Sequence, residues 1–134
     1  MTATPSLRQF SGEKYLNLET FRKSGAGVRT PVWFAASDPA EPGHGEMVLY
    51  LYTLPDSGKM KRLRNNRRVR IAPCSMRGGL RGAWVDAEAR FVEGTEAQQA
   101  HRLLNRKYWP WKTILGLAGR LRGRKYAVVA LRVV

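Results

Sequence analysis

Residues 15–21 alternate, with Tyr15, Asn17 and Glu19 on one side and Leu16, Leu18 and Thr20 on the other. That period of two predicts a strand with one buried face. A glycine-bearing turn at 23–27 follows, and 28–36 resumes as a second strand. Pro31 inside it lacks the N–H that a ladder needs, so the strand must be an edge or be distorted there, which leaves backbone groups for a ligand. A loop rich in Pro and Gly covers 37–46, and the nearly continuous apolar run 47–53 predicts a strand buried on both faces. Pro55 and Asp56 make a turn, after which Ser57 can cap a helix whose Met60 and Leu63 face inward. A further strand is predicted at 69–75, a turn with three glycines at 76–82, and a long alternating strand at 83–92 that includes Trp84. Thr95 is the expected cap of a helix over 96–108, where Ala97, Ala100, Leu103 and Leu104 keep helical spacing. Segment 109–124 is ambiguous, because Pro110, Gly116 and Gly119 weaken a helix that Ile114, Leu115, Ala118 and Leu121 would otherwise line. The apolar run 126–134 predicts a terminal strand.

Several strands at short spacing with few helices suggest a mostly β chain folded as a small barrel rather than a doubly wound sheet. A length of 134 residues, with no internal repeat, low-complexity tract or linker, predicts one domain over 1–134. Hydrophobic residues make up 43% and aromatics 10%, a globular balance rather than a disordered one. The start of the chain has no apolar signal core, and no apolar run is long enough to span a bilayer. With a lone cysteine, Cys74, an internal disulfide is excluded, and the expected localisation is cytoplasmic.

Charge changes the picture most. There are 24 Lys and Arg against 10 Asp and Glu, a net +14, and the last acid is Glu96. Such an excess anticipates an acidic partner: nucleic acid, anionic lipid or a multiply charged small molecule. Its densest part is 57–70, where a helix start falls directly after a predicted strand. The free amides of Gly58 and Lys59, the positive end of the helix dipole and the Lys59 side chain would converge there on one anion. A solvated cationic helix face fits the same run when it is taken alone.

Catalytic side chains of the usual kinds are missing. His44, His101 and Cys74 are too scattered for zinc, so no metal site is expected. Cys74 has strand-like flanks and no His nearby in sequence, and reads as a buried structural thiol rather than a nucleophile. There is no Gly-x-Ser-x-Gly elbow, Walker-type loop or Gly-x-Gly-x-x-Gly after a strand. Chemistry would then belong to a bound cofactor that the chain holds and tunes. Three segments could build its site: Thr30, Pro31, Val32 and Trp33; Thr53, Ser57, Gly58, Lys59 and Arg62; and Ala72, Pro73 and Cys74. Taken one at a time, the prolines fit plain edge strands, and Trp33 and Trp84 fit core packing.

Five stretches in order carry a resemblance: Tyr15-Leu16-Asn17-Leu18, Thr30-Pro31-Val32-Trp33-Phe34, Gly58-Lys59-Met60-Lys61-Arg62-Leu63-Arg64-Asn65-Asn66, Val69-Arg70-Ile71-Ala72-Pro73-Cys74 and Gly82-Ala83-Trp84-Val85. From about residue 14 to the end, the chain resembles the pyridoxamine-phosphate-oxidase-like split barrels, specifically their F420-dependent oxidoreductase group. The resemblance implies a six-stranded split β-barrel homodimer, with FMN or the deazaflavin F420 at the dimer interface and hydride transfer to or from a small conjugated or quinone-like substrate. Carried over by position, it puts the phosphate grip on Ser57, Lys59 and Arg62, with Lys61 or Arg64 nearby, and the ring against Thr30, Pro31, Val32 and Trp33. Thr53 and the backbone around Pro73 and Cys74 are second-line candidates, and no catalytic acid is assigned. The cation excess favours F420 over FMN, because its lactyl phosphate and oligoglutamate tail carry several charges where FMN needs one phosphate pocket.

Segment 109–124 is expected to be a dimer-packing helix, with a lid over the cofactor or a weak contact to an anionic membrane as alternatives. Two other functions stay open at this level. One is a split barrel that binds F420, FMN or haem without turnover. The other is a basic nucleic-acid-binding barrel in which Trp33, Trp84 and tyrosines stack bases, although no specific nucleic acid is expected.

Overall fold

Alternating inward side chains turn six strands into a closed antiparallel barrel in the computed structural model, which describes residues 7–10, 12–37, 48–53, 57–108 and 127–133. The strands are β1 (Tyr15–Phe21), β2 (Gly27–Ala36), β3 (Leu49–Thr53), β4 (Arg68–Cys74), β5 (Val85–Val92) and β6 (Ala127–Val133). Their order is β1-β2-β3-β6-β5-β4, and β4 pairs back onto β1 to close the ring. Leu16 and Leu18 of β1, Phe34 of β2, Leu51 of β3, Ile71 of β4 and Val129 of β6 all point into the one enclosed core. Two helices are described: α1 (Gly58–Asn65), whose Met60 and Leu63 enter that core, and α2 (Gly94–Tyr108). A 3-10 turn at Leu7–Phe10 brings Phe10 edge-on to Phe34, with ring centroids 5.8 Å apart.

The chain is therefore mostly β, a six-stranded barrel with two α-helices among the described residues, as the spacing of its strands predicts. Helix α2 lies on the outside of the barrel. Its Ala100 packs with Tyr50, Val128 and Ala130, and its Leu104 and Tyr108 with Ala35. Polar clasps hold the same contact: Tyr50 Oη donates to Glu96 Oε2 at 2.9 Å, and Tyr52 Oη meets His101 Nδ1 at 2.5 Å. Burial and the Glu96 carboxylate push the Tyr50 phenol up to about 12.

Among the described residues, β2 has a neighbour on one side only where Pro31 falls. β1 pairs with β2 from Gly27 to Trp33, whereas β3 pairs only with Phe34, Ala35 and Ala36. The open edge at 27–33 accommodates a residue without an N–H, in line with the expectation for that proline.

Most strand boundaries fall within one or two residues of the sequence pattern, and two differences have a visible local cause. The strand expected at 83–92 starts at Val85, so Trp84 lies ahead of it. Just before, Leu80 bridges to Cys74 and Gly82 crosses so close to Pro73 that a Cβ on it would stand 2.6 Å from the Pro73 Cγ; the continuous strand starts beyond that contact. The second helix begins at Gly94 rather than after a Thr95 cap. Gly94 has φ +64, a left-handed conformation that glycine adopts freely, and this turn brings Thr95 into the first helical turn. The Pro55 and Asp56 turn, 38–46 of the predicted loop and all of 109–124 lie outside the described residues.

Candidate functional site

The cationic helix is built from its first residue by local chemistry. Ser57, at φ −72 and ψ 157, is the N-cap of α1, and its Oγ accepts the Met60 N–H at 3.2 Å. The same hydroxyl lies 3.0 Å from Thr53 Oγ1 at the end of β3. That contact ties the helix start to the barrel rim. The first-turn amides of Gly58 and Lys59 cannot find an intrahelical partner, and no acidic residue occupies this turn. The amides, the dipole and the hydroxyl pair therefore present positive potential in one direction.

Two cations reinforce it. Arg62 Nε donates to the buried Thr20 Oγ1 at 2.6 Å, a bond that braces the guanidinium against β1. The guanidinium folds back over the helix start, so that a Cβ on Gly58 would stand 3.0 Å from Arg62 Nη1. Lys59 is half-buried beside it; burial first, and then the Arg62 charge, lower its pKa. Among the described residues, the ion pairs join Glu13, Glu19, Asp86 and Glu96 to Arg29, Arg70, Arg81 and Arg90, and neither Lys59 nor Arg62 takes part. Two adjacent, partly desolvated cations without a carboxylate are an unfavourable arrangement that a bound anion would relieve. Lys61 lies on the exposed side of the same helix.

The ring-lining candidates separate by the pleat of β2. Val32 is buried in the core, and Thr30 points the same way, with its Oγ1 buried and without a hydrogen-bond partner among the described residues. Thr30 pairs with Leu18, and Val28 with Thr20, so Thr30 and the Thr20 that braces Arg62 are diagonal neighbours on one face. This orphan hydroxyl next to the cationic helix end is a second sign of an absent polar ligand. Pro31 and Trp33 face outward. Trp33 stacks on Tyr108 of α2, with centroids 4.6 Å apart and planes at 9°.

Tyr108 had no place in the sequence-based site, yet it shapes this region. Its hydroxyl accepts the Phe34 N–H at 3.0 Å and faces the carbonyls of Lys14, at 2.6 Å, and Phe34, at 2.8 Å, as acceptors. A phenol thus continues the β1–β2 ladder where β1 has ended. Thr20 was also missed, although it is the one polar residue on the inward side of β1, and that was the available signal; the outward Asn17 and Glu19 are buried as well, so β1 is covered on both faces and not on one as its alternation predicts.

Pro73 and Cys74 are on the far side of β1 from β2. Pro73 pairs with Leu16 and Cys74 with Tyr15. Cys74 is buried, and burial, with Glu13 adding to it, pushes its thiol up, which fits a structural thiol. The structure therefore groups Thr53, Ser57, Gly58, Lys59, Arg62 and, through Thr20, Thr30; Trp33 lies toward α2, and Pro73 and Cys74 lie apart.

Trp84 is also engaged. The guanidiniums of Arg29 and Arg70 lie 4.7 and 5.4 Å from its ring centroid, and both pair with the buried Glu19. No group of three or more His, Cys, Asp or Glu that could hold a metal occurs among the described residues. No helix among them is long and apolar enough to cross a membrane.

No family model matches the chain, and no curated protein is similar to it in sequence. Solved structures do share its fold. A haem storage protein from Vibrio cholerae superposes with a TM-score of 0.67 at 16% identity, over 100% of this chain and 92% of the other. A candidate pyridoxamine 5'-phosphate oxidase from Listeria innocua gives 0.61 at 11%, over 95% and 89%. A FAD-binding protein from Mesorhizobium loti gives 0.60 at 15%, over 94% and 83%. At these identities the likeness establishes the pyridoxamine-phosphate-oxidase-like split-barrel fold. Structures of this fold include proteins described as flavin-binding and as haem-binding.

Proposed function

We propose that the chain is an F420-dependent oxidoreductase that moves a hydride between the deazaflavin and a small conjugated or quinone-like substrate, acting in the cytoplasm as a homodimer with cofactor at the interface. The observation that carries this is the helix start at Ser57, where Lys59 and Arg62 stand together, with no carboxylate partner among the described residues, beside two hydroxyls and free amides. The residues fit a phosphate: Ser57 and the first-turn amides would donate to its oxygens, and Lys59 and Arg62 would balance its charge. When bound, the deazaflavin supplies the ring carbon that gives or accepts the hydride. The chain's own part is to anchor and orient. Thr20 fixes Arg62 so that little side-chain freedom is lost on binding, and Thr30 offers its unpaired hydroxyl to a polar group. A side-chain acid is not assigned.

FMN would use the same grip. F420 is preferred because cations continue past it, at Lys61, Arg64, Arg67 and Arg68, with no acid between residues 57 and 85. A cofactor with several negative charges uses such a surface, whereas a single phosphate needs only the helix start. The second reading is a carrier that binds flavin or haem without turnover, and the descriptions of the haem storage and FAD-binding neighbours favour it. A nucleic-acid role is less favoured, since Trp33 is stacked on Tyr108 and Trp84 is flanked by two arginines.

The test is the absorbance spectrum and mass of any copurifying small molecule, followed by titration with F420 and with FMN. Tight F420 binding with turnover on a quinone panel is expected. Tight FMN binding with none for F420 would overturn the cofactor choice, and binding without turnover would point to the carrier.

A further inference from the structure

A cleft of about 320 Å³ opens away from the helix start, between residues 12–15 and the chain after β4, with Cys74, Ser75, Met76 and Arg81 on its other side. That size is at the small end of ligand pockets, which run from roughly 300 to 1,000 Å³. Its contents point to one chemistry. Tyr15 is half-buried and neighbours both Trp33 and Cys74 across the sheet, so these side chains share the outward face of β1, β2 and β4. Tyr15 is the aromatic side of the cleft, next in register to the Trp33 that stacks on Tyr108. Opposite it, Met76 is 65% exposed, a thioether left in water at the mouth of the cleft. Aromatic and thioether walls favour a planar apolar body.

The charges around it are unequal. Glu13, the one acid of the cleft lining, is engaged by Arg81, whose Nε lies 2.7 Å from Glu13 Oε1. The lining adds Lys14. Two cations face one carboxylate, which Arg81 already pairs, and Lys14 is left without an acid in the lining. Electrostatic complementarity therefore calls for a negative group on the ligand.

We propose that this cleft binds the substrate and that the substrate is a planar aromatic anion, its ring against Tyr15 and Met76 and its charge toward Lys14 and Arg81. The word "substrate" rests on the oxidoreductase reading; the binding of aromatic anions does not, and the two are tested separately.

The probe is 2-naphthoate, titrated into the cofactor-free full chain and followed by amide chemical shifts, with the neutral 2-naphthamide as its isosteric control. Saturable shifts are expected at Gly12, Tyr15, Ser75 and Met76, with the amide binding about tenfold more weakly. The double substitution Lys14→Gln with Arg81→Gln should bring naphthoate down to the amide's affinity, while Lys23→Gln, in the remote β1–β2 turn, should leave it unchanged. A tenfold effect corresponds to about 1.4 kcal/mol, the scale of partly exposed charge pairing. Equal binding of acid and amide, no saturable shifts, or shifts confined to α1 would overturn the proposal. Naphthoate binding at the cleft in a protein that takes up neither F420 nor FMN would sustain the anion site and remove the oxidoreductase reading instead.

Discussion

Lys59 carries a cost in the free protein. Its pKa is lowered by burial and by Arg62, so the folded chain holds that proton less tightly than the unfolded one. Stability then rises with pH through the window between the folded Lys59 value and the ordinary lysine value, and below that window the charged side chain works against the fold. A phosphate at the helix start reverses the sign locally, because it favours the ammonium form. Lys59→Met should therefore leave the cofactor-free protein as stable as wild type or more so in denaturant unfolding, and should remove part of the alkaline gain. The same change should weaken cofactor binding by about 1.5–3 kcal/mol, the range for a hydrogen bond to a charged group, read by titration. A variant with a destabilised fold and unchanged affinity would make Lys59 a structural residue. Its neighbour shows why residue-scale reading of the sequence stops short: the bond from Arg62 to Thr20 spans 42 positions, and nothing local to either residue announces it.

At the scale of elements, α1 and α2 show two ways of fixing a strand end. The α1 start was legible because capping is local: a serine followed by free amides reads directly from four residues, and the structure has Ser57 accepting the Met60 N–H. Ser57→Ala should cost about 1 kcal/mol of stability in denaturant unfolding, the usual loss of an N-cap. It should also weaken phosphate-bearing cofactors, since the hydroxyl shared with Thr53 would be gone; an unchanged cofactor affinity would separate the cap from the site. Helix α2 was legible in its apolar spacing, but not in what its last residue does. Tyr108 reaches back 74 positions to the Phe34 backbone and stacks on Trp33. Tyr108→Phe keeps the ring and strands the Phe34 N–H, so a loss of about 1–3 kcal/mol is expected. The altered Trp33 surroundings should show in the near-ultraviolet circular dichroism; an unchanged stability would mean that water replaces the phenol.

The whole molecule adds what no element holds alone. Its charge of +14 is spread unevenly, with α1 and the turn after it free of acids. If the cationic surface serves a cofactor with several charges, F420 affinity should fall steeply as salt rises from 50 to 500 mM, and FMN affinity much less, because screening scales with the number of charges engaged. Parallel salt dependence for the two would confine recognition to the helix start and remove the case for F420. Closure of the barrel also decides which predicted site residues meet. β1 lies between β2 and β4, so Thr30 and Pro73, both next to β1 in register, end on opposite sides of it.

By itself the sequence determined the strands, the Ser57 cap, the inward Met60 and Leu63, the edge character of Pro31 and the cationic surplus. All of these follow from periods of two or 3.6 residues, from capping chemistry and from charge, each of which acts within a few positions. Only the tertiary structure decided that Arg62 is braced by Thr20, that Trp33 is taken up by Tyr108, that the Thr30 hydroxyl beside the helix start has no partner among the described residues, and that Tyr15, Met76 and Arg81 line a cleft. Those contacts depend on strand order and register, which bring together residues tens of positions apart, and no local preference in the chain encodes them.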